Sequence, residues 1–432
     1  MAERKLTFLL TSSMTKGHFF RVLDIAQQLS SRGHRVLFKA KYTARPEVEA
    51  AGAELWSYEQ HFDLEDFTAV AKKADKPAWM PEFMLFPLMR NLAVGKNVHL
   101  AQELEPLLRK ERVDCVVYDF FDFGAAWAAE RVGIPYASAG NIGTALTQDN
   151  VPLMFLETSP LKYIAQHPRL LHALGSQFIS LRAARAKLGL PAYPRHSMDL
   201  VQALLSPMLH ITMAHRGFAG GLPMRDNQLF AGPTSFNMPS EKTVEGPRVE
   251  PGTIVVSTTT TGNDQGWFQR VLTAIAPLKH PVLATAASAE EIPAGLGDHV
   301  RIERYIPHDT VFPEARALIS HGGWGTVGRG LTYGLPMLVI PIFGDQTLNG
   351  ALVERAGLGR VLPLDKATPE AIRETLSALL ADEGIRTRAK ATAAEIKTLK
   401  QQQIAARALE QLILQGKVNP ATESSGHLAA SV

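Results

Sequence analysis

The chain has 432 residues, of which 46% are hydrophobic and 20% are charged, and its formal net charge is +3. This length allows two or three domains of about 150 residues each, and the composition is that of an ordinary soluble globular protein. The small net charge argues against nucleic acid as the main partner, because the basic residues are scattered among nearly as many acids.

Cysteine usage and the ends of the chain narrow the class of protein further. The single cysteine, Cys115, excludes an internal disulfide framework, and its apolar surroundings predict a core residue. No apolar stretch approaches the roughly 18 residues of a membrane helix, and the N-terminal apolar run is too short for a signal peptide. The sequence therefore predicts a cytoplasmic protein without integral membrane contact, with a disordered tail at 416–432.

The first half of the chain alternates strand-like and helix-like segments. An apolar strand at 6–11 precedes a helical pattern at 18–32, which ends at Gly33, and a second strand follows at 34–40. The same alternation continues from residue 113. This order predicts a parallel sheet with helices on both faces.

A stretch rich in Gly and Pro, 214–251, interrupts this alternation and predicts a junction between two domains. Beyond it, strands and helices alternate again. In an open parallel sheet, ligands bind outside the carboxyl ends of the strands. Polar or glycine-rich clusters follow strands at 15–18 and 119–122 in the first half, and at 258–261, 305–308, 321–326 and 345–349 in the second. Two such edges facing each other would form one cleft between the domains.

The cluster HGGWGT, residues 321–326, has the features of a diphosphate site. Gly323 and Gly325 allow the backbone to approach a ligand closely, and a helix beginning here would present free N–H groups and its positive dipole end. His321 and Thr326 can add hydrogen bonds. The alternative is a tight strand-to-helix turn that needs glycine for steric reasons alone.

Two further clusters of the second half suit the rest of a sugar nucleotide. Asp345 and Gln346 follow a strand directly, and a carboxylate beside a carboxamide can bind adjacent sugar hydroxyls. The alternative for Asp345 is a helix cap. Tyr305 could stack on a nucleobase, and the alternative is a tyrosine that packs at the strand end.

A candidate base lies in the first half. His18 follows the first strand, and histidine is the natural general base near neutral pH. Asp119 ends another strand and could orient it. The alternatives are a solvent-facing residue at the helix start for His18 and a helix cap for Asp119, and Asp122 is a rival for either role.

The motifs together resemble the UDP-glycosyltransferase superfamily (glycosyltransferase family 1-like), and within it the bacterial natural-product and macrolide enzymes. The HGGWGT box followed by Asp345, Gln346 and Asn349 resembles the donor signature of that family. The segment YIPH at 305–308 is similar to the family's element that holds the nucleobase of the donor. The N-terminal Gly-His pair and the FGAAW segment after Asp119 are similar to the family's first domain.

This resemblance implies an α/β protein with the GT-B fold, in which two Rossmann-like domains face each other across a cleft. The implied activity is inverting transfer of a sugar from a UDP- or dTDP-sugar to a hydroxyl of an apolar small molecule such as a polyketide, macrolide or phenolic compound. The sugar nucleotide is a cosubstrate, no metal or other cofactor is implied, and the protein would be a monomer or homodimer. The implied divisions are an acceptor domain (1–215), a linker (216–250), a donor domain (251–388), a helix crossing back to the first domain (389–415) and the tail (416–432).

The resemblance also assigns roles to residues. His18 would be the base and Asp119 would polarise it. The implied donor-binding residues are Ser257, Thr260, Tyr305, Ile306, His308, His321, Gly323, Gly325, Thr326, Asp345 and Gln346. A stretch at 79–89, rich in Met and aromatic residues, could form an adaptable apolar acceptor pocket, and the alternative is a buried helix or loop. Residues 141–156 are a second candidate wall of that pocket. The candidate acceptor residues are Trp79, Phe83, Met84, Phe86 and Asn141.

Three positions depart from the family pattern. Arg329 stands where the family often has a glutamate that holds ribose hydroxyls, His308 stands where glutamine is usual, and Thr259 where glycine is common. Loss of the ribose acid makes a dTDP-sugar a real option. Two other functions stay open, a GT-B nucleotide-sugar epimerase and a non-catalytic sugar-nucleotide sensor or accessory protein.

Overall fold

The computed structural model describes residues 4–58, 86–149, 151, 153, 163–164, 166–171, 180–193, 199–219, 223–236, 249–258, 266–285, 292–304, 306–342 and 345–415. The predicted alternation of strands and helices is present in both halves. The strands form two separate sheets in which every strand pair is parallel.

The first sheet has seven strands in the order β3-β2-β1-β4-β5-β6-β7. The strands are β1 Thr7–Thr11, β2 Arg35–Lys41, β3 Glu54–Tyr58, β4 Cys115–Asp119, β5 Tyr136–Gly140, β6 Leu209–Thr212 and β7 Gln228–Phe230. The second sheet has six strands in the order β10-β9-β8-β11-β12-β13. They are β8 Ile254–Ser257, β9 Val282–Thr285, β10 Val300–Glu303, β11 Ala317–Ser320, β12 Met337–Val339 and β13 Gly359–Val361.

Helices cover both faces of each sheet. In the first half they are α1 Lys16–Ser31, α2 Arg45–Ala50, α3 Phe86–Lys110, α4 Gly124–Val132, α5 Arg182–Lys187 and α6 Asp199–Leu204. In the second half they are α7 Trp267–Ile275, α8 His308–Val311, α9 Trp324–Thr332, α10 Gln346–Arg355, α11 Pro369–Ala381, α12 Glu383–Gln401 and α13 Ile404–Gln415. Apolar clusters lie on the two sides of each sheet, and Cys115 is fully buried in one of them, as predicted.

The order of the strands determines where a ligand can bind. In the first sheet the chain adds strands on one side of β1 as far as β3 and then on its other side from β4 onwards, and in the second sheet the same change occurs between β8 and β11. The crevice outside the carboxyl ends of the strands opens at such switch points. His18 lies in the helix after β1 and Asp119 ends β4, whereas Ser257 ends β8 and His321 directly follows β11. The topology therefore places both groups of candidate residues at the switch points.

The segment 216–250, predicted as a linker, is partly a strand. Its residues Gln228–Phe230 form β7, which pairs with β6 at the edge of the first sheet. The glycines and prolines on either side concealed a strand of only three residues, because so short a run shows no clear alternation. The first sheet therefore extends to Phe230.

The C-terminal helix, predicted as one element at 389–415, is two helices. The break lies at Gln402 and Gln403, where Gln403 has a φ of +50°. This conformation is unfavourable for a side chain other than glycine and ends α12. The second helix, α13, packs Ile404, Leu409 and Leu412 into the same core cluster as α1. Leu399, near the end of α12, also packs against this cluster, so the return to the first half begins before α13.

A partly buried ion-pair cluster joins α13 to the first half. Glu410 accepts hydrogen bonds from Arg32 Nε at 2.5 Å and from Arg32 Nη2 at 2.8 Å, and it contacts His34 Nε2 at 2.7 Å. Burial would raise the pKa of Glu410, but the hydrogen bonds from Arg32 and His34 outweigh it and lower the pKa. The cluster therefore stabilises the fold above the pKa of an unfolded glutamate, and this contribution is lost as the pH falls through the folded pKa.

We expect Glu410→Gln to lower the free energy of unfolding at pH 7 by about 1–2 kcal/mol, because the Arg32 guanidinium loses a charged acceptor. Urea denaturation at pH 7 and at pH 4 measures the effect, which should be smaller at the lower pH. Glu370→Gln is the matched control, since that side chain is 68% exposed and its pair with Arg373 contributes little. Equal effects of the two substitutions would contradict the role of the cluster.

Candidate functional site

His18 and Asp119 form a hydrogen-bonded pair at the switch point of the first sheet. His18 lies in the first turn of α1, and its Nδ1 is 3.0 Å and 2.9 Å from the two carboxylate oxygens of Asp119. The strand order brings the ends of β1 and β4 together, although 101 residues separate the two side chains. Sequence reasoning predicted this pair.

The surroundings of Asp119 keep it ionised. Asp119 is fully buried, which alone would raise its pKa, but the His18 and Arg21 side chains and the backbone N–H of Phe121 outweigh burial and lower the pKa. Its rival Asp122 accepts a hydrogen bond from Lys96 Nζ at 2.8 Å. Neither acid acts as the cap of α4, whose N-cap residue is Phe123.

The ionised carboxylate determines which His18 nitrogen can act as a base. An acceptor at Nδ1 requires the proton of the neutral ring to lie on that atom, which leaves the lone pair on Nε2. The His18 side chain is 15% exposed, and the rings of Phe120 and Phe121 lie 5.1 Å and 5.2 Å from it. The His18 side chain is therefore partly exposed, neither fully solvent-facing nor fully buried.

The HGGWGT box joins β11 to α9. Gly322 has a φ of +90°, a conformation that disfavours other residues, and α9 begins at Trp324. The His321 ring lies over Gly323, where an added Cβ would stand 2.5 Å from His321 Nε2. A Cβ on Gly325 would meet nothing within 4 Å. Some of these glycines thus serve the turn, whereas the helix N-terminus beside Gly325 is open to a ligand.

His321 is neutral in this environment. It is buried, and burial lowers its pKa despite a hydrogen bond with the backbone of Ser257. A neutral imidazole donates one N–H, and the first N–H groups of α9 have no partner within the helix. Thr326 lies in the first turn of α9 and is partly exposed. The box therefore gathers neutral donors and a helix dipole, the arrangement that suits an anion.

Asp345 precedes α10 and lies near enough to His18 and Arg21 for their charges to act on it. Its Oδ2 accepts hydrogen bonds from Asn349 Nδ2 and from Asn141 Nδ2, each at 3.4 Å. Asn349 Nδ2 also donates to the carbonyl of Gly322 at 2.8 Å, which ties the acid to the box. Asp345 makes no cap hydrogen bond to α10. Burial raises its pKa, and the charges of His18 and Arg21 act in the opposite direction.

Gln346 is more buried than Asp345 and hydrogen-bonds to the backbone. It is 4% exposed, and its Oε1 accepts a hydrogen bond from the backbone N–H of Ile342 at 2.8 Å. Its carboxamide oxygen therefore shapes the loop that carries Asp345. Sugar binding by Gln346 stays a prediction that would need its other amide atom.

The two halves meet at this site. Asn141, which follows β5 of the first sheet, contacts Asp345 of the second half. Trp324 Nε1 donates to the carbonyl of Met213 at 3.0 Å, and the Trp324 ring packs edge-on against Phe218 at 6.0 Å. The structure therefore brings the His18–Asp119 pair, the HGGWGT box and the carboxylate of Asp345 to the place where the two halves meet.

The residues predicted to hold the nucleobase are only partly described. Tyr305 and Thr260 lie outside the described residues. Ser257 is buried at the end of β8, and Ile306 is 2% exposed within a core cluster, so any contact of Ile306 with a donor would use its backbone. His308 stacks on Phe312 with ring centroids 4.4 Å apart, and burial lowers its pKa to about 4. His308 is therefore neutral.

Arg329 is engaged by protein groups. Its Nη1 donates to Asp309 Oδ1 at 2.8 Å, and Nη2 donates to the carbonyl of Phe236. Asp309, next to His308, was not singled out from the sequence. The signal in the sequence was an aspartate in the first turn of a helix, directly after the YIPH segment. Acids at such positions are too common to stand out. Arg329 therefore connects α8, the helix that begins at His308 in the predicted nucleobase element, to Phe236 at the end of the first half.

The predicted acceptor residues are described least. Trp79, Phe83 and Met84 lie outside the described residues, and Phe86 begins α3 with a side chain that is likewise not described. Asn141 is described and contacts Asp345. Its backbone carbonyl accepts a hydrogen bond from Thr144 Oγ1 at 2.8 Å, which fixes the turn after β5.

Neither a metal site nor a membrane span is found in the part of the chain that the structure describes. No three His, Cys, Asp or Glu side chains gather there in a way that could hold a metal ion. No described helix is both long enough and apolar enough to cross a bilayer.

Comparison with known proteins shows what the chain is similar to. Residues 269–412 match the family of erythromycin biosynthesis protein CIII-like C-terminal domains. The resemblance read from the sequence is confirmed. The 4'-demethylrebeccamycin synthase of Lentzea aerocolonigenes is 26% identical over 400 residues, which cover 88% of this chain and 93% of that protein.

Solved structures establish the fold. The glycosyltransferase of kitacinnamycin superposes with a TM-score of 0.73 at 20% identity, covering 94% of this chain and 99% of its own. The glycosyltransferase VinC, solved in complex with dTDP, superposes with a TM-score of 0.64 at 18% identity, covering 93% and 100%. The fold is GT-B, as predicted, and the relatives are glycosyltransferases of natural products.

Proposed function

We propose that this protein is an inverting glycosyltransferase that moves a sugar from a dTDP- or UDP-sugar to a hydroxyl of an apolar small molecule. The observation that carries the proposal is the arrangement across the cleft. His18 is held by an ionised Asp119, and the charges of His18 and Arg21 act on Asp345, which Asn349 links by hydrogen bonds to the donor box. Such a transfer needs a general base, a carboxylate that binds the sugar hydroxyls and a site that binds the diphosphate anion.

The proposed reaction is a single displacement. The acceptor hydroxyl gives its proton to His18 Nε2 while its oxygen forms a bond to the anomeric carbon, and the bond from that carbon to the diphosphate oxygen breaks. Asp119 stabilises the imidazolium that forms. The leaving diphosphate keeps the electron pair and is stabilised by the N-terminus of α9 and by His321. Attack opposite the leaving group inverts the anomeric configuration.

In this scheme neutral protein groups, the N-terminus of α9 and His321, stabilise the negative charge of the leaving diphosphate. The proposal therefore requires no metal ion and no cofactor other than the sugar nucleotide. Asp345 would accept hydrogen bonds from sugar hydroxyls, and Asn349 would hold its carboxylate in place. Asn141, which now contacts Asp345, would lie beside the acceptor.

We infer that the donor is a dTDP-sugar. Arg329 occupies the family's ribose-acid position and is held by Asp309 and Phe236, so it offers no acceptor to a ribose 2′-hydroxyl. Among the described residues, Arg329 supplies no hydrogen bond that would offset the desolvation of that hydroxyl when UDP binds. The complex of VinC with dTDP supports the same choice.

We expect kcat/KM for a dTDP-sugar to exceed that for the UDP form of the same sugar by at least about tenfold. This ratio corresponds to the free-energy cost of one hydroxyl that is desolvated without a hydrogen bond. Steady-state kinetics with the matched dUDP-sugar separates the causes. This donor lacks the 2′-hydroxyl and also the base methyl group, so it should resemble the dTDP-sugar if ribose decides. A clear preference for UDP would contradict the inference.

The acceptor is proposed to be an apolar, hydroxylated natural product, which the activities named for the relatives support. A donor-by-acceptor screen read by mass spectrometry tests the whole proposal. The expected result is an acceptor heavier by one sugar residue together with free nucleoside diphosphate. An altered donor sugar formed without any acceptor would instead identify an epimerase, and binding without turnover would identify a sensor or accessory protein.

A further inference from the structure

Arg21 is a buried cation inside the cleft that the reaction scheme does not use. It lies on α1 one turn after His18, and its side chain is 3% exposed. Its Nη1 donates to Asp119 Oδ2 at 3.2 Å, and its Nη2 donates to the carbonyl of Gly17 at 3.2 Å. The guanidinium therefore joins Asp119 to the backbone immediately before His18.

Arg21 and His18 compete for the same carboxylate. Asp119 Oδ2 lies 2.9 Å from His18 Nδ1 and 3.2 Å from Arg21 Nη1. A buried carboxylate with only an imidazole beside it would draw a second proton onto that ring, because charge attraction grows as water is excluded. Burial lowers the pKa of Arg21, but Asp119 and Asp345 oppose this, and a guanidinium keeps its charge at any working pH.

The remaining charges near His18 strengthen the need for this cation. Asp345 of the second half feels the charges of both His18 and Arg21. Asp122, in the loop after β4, is balanced by its own partner Lys96 at 2.8 Å. Without Arg21, the two carboxylates Asp119 and Asp345 would both favour a protonated His18, which is useless as a base.

We propose that Arg21 is a positioning residue that balances Asp119 with a fixed charge, so that His18 stays unprotonated and able to accept a proton at neutral pH. The hydrogen bond to Gly17 gives Arg21 a structural role as well, because it fixes the start of α1 relative to the Asp119 carboxylate. This inference rests on the proposed function, in which His18 is the base.

The test compares Arg21→Met, which keeps much of the apolar stem and removes the charge, with Arg21→Lys, which keeps the charge. For Arg21→Met, the acidic limb of the kcat/KM–pH profile should move up by about one to two pH units, the size of a nearby buried charge. Activity at pH 7 should then fall about tenfold or more and recover to within a few fold near pH 9. Arg21→Lys should keep the limb near its wild-type position. Arg21→Gln serves as a second neutral variant if the methionine variant folds poorly.

A matched control separates electrostatics from loss of structure. Arg185 forms a comparable buried pair with Glu130 at 2.7 Å, and its side chain is 4% exposed. Arg185→Met should destabilise the fold and leave the pH profile unchanged. A loss of activity in Arg21→Met that is equal at every pH, with the acidic limb unmoved, would overturn the inference.

A second readout does not depend on transfer activity. The titration of the His18 imidazole can be followed by NMR and assigned by its disappearance in His18→Gln. The midpoint should rise in Arg21→Met and stay in place in Arg185→Met, and an unchanged midpoint in Arg21→Met would overturn the role of Arg21. If no donor and acceptor react with the wild-type protein, the proposed function fails, while the NMR midpoint still decides whether Arg21 controls the charge of His18.

Discussion

Replacing His18 by glutamine is expected to lower kcat by about 10³-fold, within the usual range for loss of a general base. Glutamine keeps a donor that can reach Asp119 but has no group that accepts a proton at neutral pH. Binding of dTDP should change little, because the donor box lies on the other half of the chain. Steady-state kinetics with calorimetric titration of dTDP measures both quantities.

A second histidine provides the control for this substitution. His299 contacts the carbonyl of Ala276 at 2.8 Å and has no described contact with the cleft. We expect His299→Gln to leave kcat unchanged. Asp119→Asn should reduce kcat as well, because the neutral amide can reverse the tautomer of His18 and no longer stabilises the imidazolium. Transfer at a near wild-type rate in His18→Gln would show that another group is the base.

Replacing Asp345 by asparagine is expected to lower kcat/KM by about 10²-fold, the loss of two charge-assisted hydrogen bonds to the sugar. The discrimination between donor sugars should shrink at the same time, since a carboxylate accepts from two hydroxyls and an amide from one side only. Affinity for dTDP, which carries no sugar, should stay within a few fold. Competition between two dTDP-sugars, with calorimetry for dTDP, gives all three results.

The control for Asp345 is an exposed acid of the same half. Asp365 lies in a short helical turn on the surface, and Asp365→Asn should affect neither selectivity nor rate. Burial raises the pKa of Asp345, so the free enzyme should also lose sugar affinity on mild acidification sooner than an exposed aspartate would allow. Loss of dTDP affinity in Asp345→Asn, with sugar preference unchanged, would place this acid at the nucleotide instead.

Much of the fold followed from local sequence patterns, because buried parallel strands and amphipathic helices leave strong signals. The strands ending at Thr11, Asp119 and Ser320 fall within a residue or two of their predicted ends. Two boundaries were wrong for local reasons. The short edge strand β7 was hidden among turn residues, and the break before α13 depends on one residue, Gln403, in an unusual conformation.

The site divided in the same way. The pair His18 and Asp119 could be predicted, because polar residues after neighbouring strands must share one edge of the sheet. The contacts of Arg21, Asp309 and Asn141 could not, since each depends on side-chain directions set by packing between distant segments. Gln346 shows the reverse case, in which a residue of the predicted motif hydrogen-bonds within its own loop.

The anomeric configuration of the product tests the central claim most directly. With an α-linked dTDP-sugar and an acceptor found in the screen, the proton coupling constant at the anomeric carbon of the product distinguishes the two anomers by NMR. A single displacement with His18 as base predicts a β-linked product from the wild-type protein. An α-linked product would require a second displacement through a different nucleophile and would contradict the account.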